Sequence, residues 1–354
     1  MGLFGKDKGG TFGLDIGSTA VKVVQLAPSR GGYELEAFAM ARVPPDATSE
    51  GTIKDPSLFV DAIREAVDKS GVTSANAAIS ISGRELIVKK VQLPRVPVKE
   101  LGDAISLEAE HHIPFAIDDV YLDYQIVSER GANMDVMLVA VKKSKVNEYV
   151  LLADEAGLTP VVVDLDSFAL ENQFELNNPE PKGEAVVLID IGATVMKTNV
   201  VRGGSSLFAR DVAFGGLSYT QAVAQRLGIP METAEAAKQG QDVGVNWDDL
   251  IPALTAVSRE LSLEIQRTFD YLASTTESER ISRLVLSGGC AKLPGIDEFL
   301  SSSWGIPVEI ARPFQNIVFD PSRFSGDELA NLGPELAVAV GLAIRRPNDK
   351  PRQA

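Results

Sequence analysis

Two short segments combine the residue types that handle phosphate. Residues 15–22 read DIGSTAVK and residues 190–197 read DIGATVMK, so Asp15, Ile16, Gly17, Thr19 and Lys22 recur as Asp190, Ile191, Gly192, Thr194 and Lys197. In each, a glycine lets backbone N–H groups approach an anion. Ser18, Thr19 and Thr194, the last beside Ala193, supply hydroxyl donors. Asp15 and Asp190 are placed to hold a hydrated Mg2+, an ion that takes oxygen ligands and keeps several waters. Lys22 offsets phosphate charge. A third segment, LSGGCAKLPG at 286–295, sets Gly288 and Gly289 between an apolar run and a helical pattern, with Lys292 just beyond. Backbone without side chains there can lie flat against a nucleotide's sugar or base. Taken singly, each segment reads more simply as a strand-turn closed by its own aspartate, or as a loop. The three together, in this order, argue for one phosphate-binding constellation. Neither GxxxxGKS/T nor GxGxxG occurs, so this is not a P-loop protein.

These segments need strands on either side. Apolar runs at 12–14 and 186–189 precede the two repeats, and β-branched runs at 21–26 and 195–201 follow them. Strand, tight turn, strand is the pattern, and its recurrence implies two related half-domains that each open with a β-hairpin. A third strand is expected at 33–41. Asp55 and Pro56 then form an N-cap and first turn for a helix that Gly71 ends, and a fourth strand follows at 77–82. Alternation of strands and helices argues for α/β layers. Residues from about 84 to 158 read as an insertion, with strands at 86–93, 121–127 and 135–141 and helices after Pro97 and at 144–155. A strand at 159–163 and a helix at 167–176 return to the first half. Residues 177–183, NNPEPKG, read as a linker. The second half continues with helices from Ser218 to Gly228, around 232–238 and over 254–272, then a strand at 284–286. A last amphipathic helix is expected from Ile296.

Composition bounds the function. With 34 Lys and Arg against 49 Asp and Glu, the chain carries a net charge of -15, which disfavours nucleic acid and anionic lipid as partners. Aromatic residues at 6% make a base-stacking platform improbable as well. One cysteine, Cys290, rules out an internal disulfide framework and a multi-thiolate zinc site. No apolar run approaches the roughly 18 residues of a spanning helix, and the first ten residues lack a secretory signal pattern. A cytoplasmic protein is expected, with its C-terminal end from Arg345 loose.

The two DIGxT hairpins and the SGG loop resemble the phosphate and adenosine loops of the ATPase superfamily that unites actin, heat-shock chaperones and sugar kinases. An insertion after the fourth strand, later than in actin, resembles the FtsA-like branch. VQLP at 91–94, EAEHHIPF at 108–115, DDVYLDY at 118–124, VDLDSFAL at 163–170 and PELAVAVGLAIR at 334–345 are similar to the PilM family of type IV pilus inner-membrane assembly proteins. The resemblance covers nearly the whole chain. It implies an actin-like ATPase fold of two related half-domains with an FtsA-type inserted subdomain. Subdomain 1A would comprise 1–83, with 159–182 and about 331–346 returning to it, and subdomain 1C would be the insertion, 84–158. Subdomain 2A would be 183–215 with 281–330, subdomain 2B 216–280, and 347–354 a flexible tail.

By the same resemblance, ATP would lie among Gly17, Ser18, Thr19, Lys22, Gly192, Ala193, Thr194, Gly288, Gly289 and Lys292, with Mg2+ held through water by Asp15 and Asp190. Glu235 and Lys238, in AEAAK, would approach the ribose or adenine. Lys197 departs from the superfamily, which usually has a smaller or polar residue near there. Asp166 is the best match to the carboxylate or amide that orients water in active relatives, although its neighbour Asp164 can equally be a buried cap. The family also implies a binding role. It takes the cytosolic N-terminal peptide of the membrane protein PilN into a groove between the first subdomain and the insertion, linking the inner-membrane complex to the cytoplasmic motor ATPases. Membrane contact would then be indirect, and self-association is left open. An FtsA-like division filament and a sugar-type kinase are the competing readings; for the kinase, no acceptor-base motif stands out. His111 and His112, adjacent on a helix, point about 100° apart and suit a surface pair better than a metal site. Cys290 reads as a small filler, and Trp247 and Trp304 as packing residues.

Overall fold

Both phosphate segments are turns of β-hairpins, as their spacing predicts. The computed structural model describes residues 10–49, 51–178, 183–275 and 280–349. The expectations for the first nine residues, for 179–182 of the linker and for the last five residues lie outside the described residues.

In the first half, β1 (Phe12–Ile16), β2 (Ala20–Ser29) and β3 (Gly32–Arg42) form an antiparallel meander. A small ribbon, β4 (Thr48–Ser49) and β5 (Thr52–Ile53), leads to α1 (Pro56–Ser70) and β6 (Asn76–Ile81). All five residues of β1 are buried, which is why it reads as an unbroken apolar run around one acid. For α1, the Asp55 carboxylate caps the Ser57 N–H and Gly71 closes the helix at φ 70°. The insertion comprises β7 (Leu86–Pro94), α2 (Val98–His112), β8 (Val120–Arg130) and β9 (Asn133–Lys142). Its antiparallel sheet runs β7-β9-β8, with Leu101, Ile105 and Ala109 of α2 packed on Val91, Leu93, Val136 and Leu138. The next helix, α3 (Lys143–Glu155), packs its Leu152 and Ala153 into the core of the first half beside Phe59 and Ile63. Then come β10 (Thr159–Leu165) and α4 (Asp166–Asn177).

The second half contains β11 (Ala185–Ile191), β12 (Met196–Val201), β13 (Ser206–Val212), α5 (Gly216–Leu227), α6 (Met231–Lys238), α7 (Trp247–Thr275), β14 (Ile281–Ser287), α8 (Ile296–Trp304) and β15 (Val308–Ile310). A short strand, β16 (Ile317–Val318), and α9 (Gly326–Ala343) return to the first half. Among the described residues, one sheet runs β10-β6-β1-β2-β3-β16 and the other β13-β12-β11-β14-β15. The pairings repeat as well. β1 is antiparallel to β2 and parallel to β6, just as β11 is antiparallel to β12 and parallel to β14. The internal repeat of the sequence is thus a repeat of topology.

Three features differ from the sequence reading. The helix from Ile296 is followed by another, α9, whose residues Leu336 to Ala343 are all buried. A stretch covered on every side has no polar stripe, so over it the 3.6-residue pattern that reveals amphipathic helices is missing. Asn177 does not begin a linker. It is buried at the end of α4, where its Nδ2 donates to the Gln173 and Pro313 carbonyls and its Oδ1 accepts the Asn316 N–H. Arg345 does not start a loose end either, because its guanidinium lies 3.1 Å from Asp164 and 3.2 Å from Asp349.

α9 is also what sets the site's acids in place. A Cβ on Gly13 of β1 would stand 2.2 Å from the Ala339 carbonyl oxygen. A Cβ on Gly341 would meet the Ala169 carbonyl oxygen of α4 at 1.8 Å. The missing side chains let α9 lie directly on β1, which ends beside Asp15, and on α4, which begins with Asp166.

Candidate nucleotide site

The two hairpins share one local design. In the first, the Gly17 N–H donates to the Ala20 carbonyl at 3.1 Å; in the second, the Gly192 N–H donates to Val195 at 3.1 Å. Antiparallel register sets Lys22 opposite Asp15 and Lys197 opposite Asp190. Directly opposed residues present their side chains on one face, and each lysine reaches its aspartate at 2.8 Å. The ammonium groups lie close beneath the turns. A Cβ on Gly17 would come within 3.3 Å of the Lys22 Nζ, and one on Gly192 within 3.6 Å of the Lys197 Nζ. The two hairpins meet, with the Ser18 and Thr194 hydroxyls 3.2 Å apart.

Lys197 does more than close its own hairpin. Its Nζ also lies 3.1 Å from Asp166 Oδ2, at the buried start of α4. Burial works to discharge this ammonium, but Asp190, Asp166 and Asp15 together raise its pKa well above the usual lysine value. Burial likewise pushes Asp166 toward the neutral acid, yet Lys197 and the Ser80 and Ser82 side chains together outweigh it and the carboxyl sits below its ordinary range. For Asp15 the balance is reversed: burial prevails over Lys22 and raises its pKa.

The third segment joins the second hairpin through Ser287, whose hydroxyl donates to Asp190 Oδ2 at 3.1 Å. Gly288 adopts φ 81°, and a Cβ there would stand 2.5 Å from the Ile191 carbonyl oxygen. Gly288 is therefore the packing glycine, whereas Gly289 is exposed and has open space where a side chain would be. Lys292 turns to Glu335 of α9, at 3.0 Å. Cys290 is buried, and that burial pushes its thiol up to about 11, which leaves no thiolate at neutral pH.

Glu235 and Lys238 meet each other at 2.7 Å on α6, and Lys238 Nζ also donates to the Gly216 carbonyl at 3.1 Å and to the Thr220 hydroxyl at 3.0 Å. Gly216 in turn gives its N–H to the Gly192 carbonyl at 2.9 Å, and the Leu217 N–H bonds to the Ala193 carbonyl at 2.8 Å. The start of α5 thus closes on the second hairpin. A Cβ on Gly215 would be 2.5 Å from Ala193 backbone. Sequence reasoning missed Gly215 and Gly216, and it missed the bond from Ser287 to Asp190. The signal was present, since FGG at 214–216 precedes a helical pattern much as SGG precedes PG. It also missed Asp211, whose Oδ2 accepts the Gly83 N–H at 2.7 Å and joins β13 to the end of β6.

Phosphate suits these residues. Two tight turns carry part-exposed hydroxyls, two ammonium groups lie beneath them, and Gly289 leaves room beside the strand end. A divalent ion held directly by Asp15 and Asp190 does not suit them. Asp190 has one oxygen on Lys197 and the other on Ser287, and Asp15 holds Lys22. Among the described residues, no group of three His, Cys, Asp or Glu side chains could hold a metal.

A model of the type IV pilus assembly protein PilM family matches residues 13–347. The chain belongs to the PilM family. The PilM fold seen here is similar to a chain of the solved PilM-PilN type IV pilus biogenesis complex, with TM-score 0.85 and 29% identity over 95% of this chain and 98% of that one. In sequence this PilM family member is also similar to the cell division protein FtsA of Streptococcus pneumoniae serotype 2, at 23% identity over 96% of this chain and 84% of that protein. MreB5 of Spiroplasma citri, solved bound to ADP, shares the fold with TM-score 0.54 and 12% identity, covering 95% of each chain. The expected actin-like fold and FtsA-like branch are therefore borne out. No described helix of this PilM family member is long and apolar enough to cross a membrane.

Proposed function

We propose that this chain is an ATP-binding scaffold of type IV pilus assembly. It takes the cytosolic N-terminal peptide of a PilN-type membrane protein and thereby connects the inner-membrane complex to the cytoplasmic motor. The observation that carries this reading is the likeness, over 95% of the chain, to a chain of the PilM-PilN complex. An extended peptide lying in a groove between the first subdomain and the insertion is the binding mode that fits. ATP would lie along the two hairpins, with its phosphates among Gly17, Ser18, Thr19, Lys22, Gly192, Ala193 and Thr194 and its adenosine against Gly289. Glu235 and Lys238 approach it from α6, and any Mg2+ would enter on the phosphates. The protein would be cytoplasmic and reach the membrane through its partner. The four-subdomain division given above is part of this proposal.

Turnover would be slow. Asp166, the candidate for orienting water, is held by Lys197 at 3.1 Å, so its position is set by an ion pair within the protein rather than by a water. The test is a pair of binding measurements on the full chain. ATP should raise the thermal midpoint, and a PilN-type N-terminal peptide should bind more tightly than its scrambled version; failure of both would sink the reading. The similarity to FtsA favours a second reading, a filament protein, which ATP-dependent polymers on lipid without any partner peptide would support.

A further inference from the structure

Resting on the nucleotide reading above, we propose that the Lys197 ammonium stands where a divalent cation would otherwise serve the site's acids, so that nucleotide binds this chain without requiring a metal. Three carboxylates from three elements converge here: Asp15 at the end of β1, Asp190 at the end of β11 and Asp166 at the start of α4. All three are buried. A small cation among them would neutralise both halves at once, and the chain already carries one. Lys197 Nζ lies 2.8 Å from Asp190 and 3.1 Å from Asp166, while Lys22 takes Asp15 at 2.8 Å.

The geometry argues against a metal as the source of that charge. Hydrated Mg2+ is held through carboxylate oxygens with free lone pairs facing its waters. Asp190 has given one oxygen to Lys197 and the other to Ser287. An ammonium covalently tethered at that point also repels a second cation, and its tether is short because register fixes Lys197 opposite Asp190. The two lysines are therefore not equivalent. Lys22 answers one acid and keeps capacity for phosphate, whereas Lys197 answers two and balances the acids themselves.

The experiment uses the full chain, wild type and Lys197→Ala. ATP binding is measured by calorimetry in excess Mg2+ and in excess EDTA, and Mn2+ is titrated without nucleotide by electron paramagnetic resonance. Wild type should bind ATP within ~3-fold the same in both conditions and take up no Mn2+, whereas Lys197→Ala should lose at least ~10-fold in ATP affinity when Mg2+ is removed. A purely structural ion pair would change stability but would not create metal dependence. Wild-type binding that vanishes in EDTA overturns the proposal and leaves the nucleotide reading intact. ATP binding in neither condition overturns the nucleotide reading and the proposal with it. If three unbalanced acids prevent Lys197→Ala from folding, the double variant Lys197→Met, Asp166→Asn removes one charge of each sign. It should show the same EDTA sensitivity, and insensitivity would overturn the proposal.

Discussion

Ser18 in the first hairpin and Thr194 in the second hold their hydroxyls 3.2 Å apart, so the two half-domains touch at their hairpin turns. Both side chains are expected phosphate donors, so a nucleotide must replace this mutual contact with contacts to itself. Joining them covalently should keep the turns in contact. The double variant Ser18→Cys, Thr194→Cys should lose the ATP-induced rise in thermal midpoint when oxidised and regain it on reduction. Cys290, the chain's own cysteine, is buried and does not compete. An oxidised variant that still responds fully to ATP would show that the nucleotide does not enter between these hairpins.

The glycine pair at 288–289 separates packing from binding. Gly288 has a positive φ and no space for a Cβ, so Gly288→Ala should cost roughly 1–3 kcal/mol of stability. Gly289 has nothing within 4 Å of its missing side chain. Gly289→Val should therefore leave unfolding within ~0.5 kcal/mol of wild type while weakening ATP by about tenfold, because the side chain fills the space proposed for adenosine. Urea unfolding and calorimetry on both variants decide it. Equal stability losses at the two positions would contradict the assignment.

Asp211 makes stability depend on pH. Its carboxylate accepts the Gly83 N–H, but burial outweighs that bond and pushes the carboxyl from 3.8 up to about 7. Between those values the folded chain keeps a proton that the unfolded chain has lost. The contribution is therefore fully present below about pH 4 and falls as pH rises toward 7, by at most ~1.4 kcal/mol per pH unit and less for a partly exposed group. Asp211→Asn retains an acceptor for Gly83 and cannot ionise. In urea unfolding from pH 5 to 8, the variant should gain on wild type steadily and be the more stable at pH 8. A difference that stays constant with pH would refute the assignment.

Much of this was legible in the sequence, and the parts that were not share a physical cause. The capped helix α1 and the insertion's sheet show amphipathic stripes or alternation, because one face meets solvent, whereas the hairpins show as apolar runs because their first strands are buried on both faces. The repeat of DIGxTxxK disclosed the two halves directly. α9 escaped because its second half is buried all round. The Lys197 to Asp166 contact escaped for a different reason. Register within one hairpin predicts Lys197 against Asp190, but Asp166 belongs to another element, and only the packing of α4 brings it there. Likewise Gly13 and Gly341 look like ordinary strand and helix glycines until the backbones that touch them are known.

Gly341 supports the last prediction. Its missing side chain lets α9 touch α4 at Ala169, one turn from Asp166, and a Cβ there would fall 1.8 Å from the Ala169 carbonyl oxygen. No rotamer change relieves a clash between a Cβ and backbone, so Gly341→Ala must move one helix. The cost should be roughly 3 kcal/mol, at the upper end of overpacking substitutions. Displacing α4 also displaces Asp166 from Lys197, so the damage should reach the site. Near the start of α9, Asn331→Ala changes an exposed side chain and serves as the control. In urea unfolding and ATP calorimetry, Gly341→Ala should lose stability and nucleotide affinity together, while the control loses neither. A Gly341→Ala protein as stable as wild type would mean that α9 does not bear on α4 at that crossing.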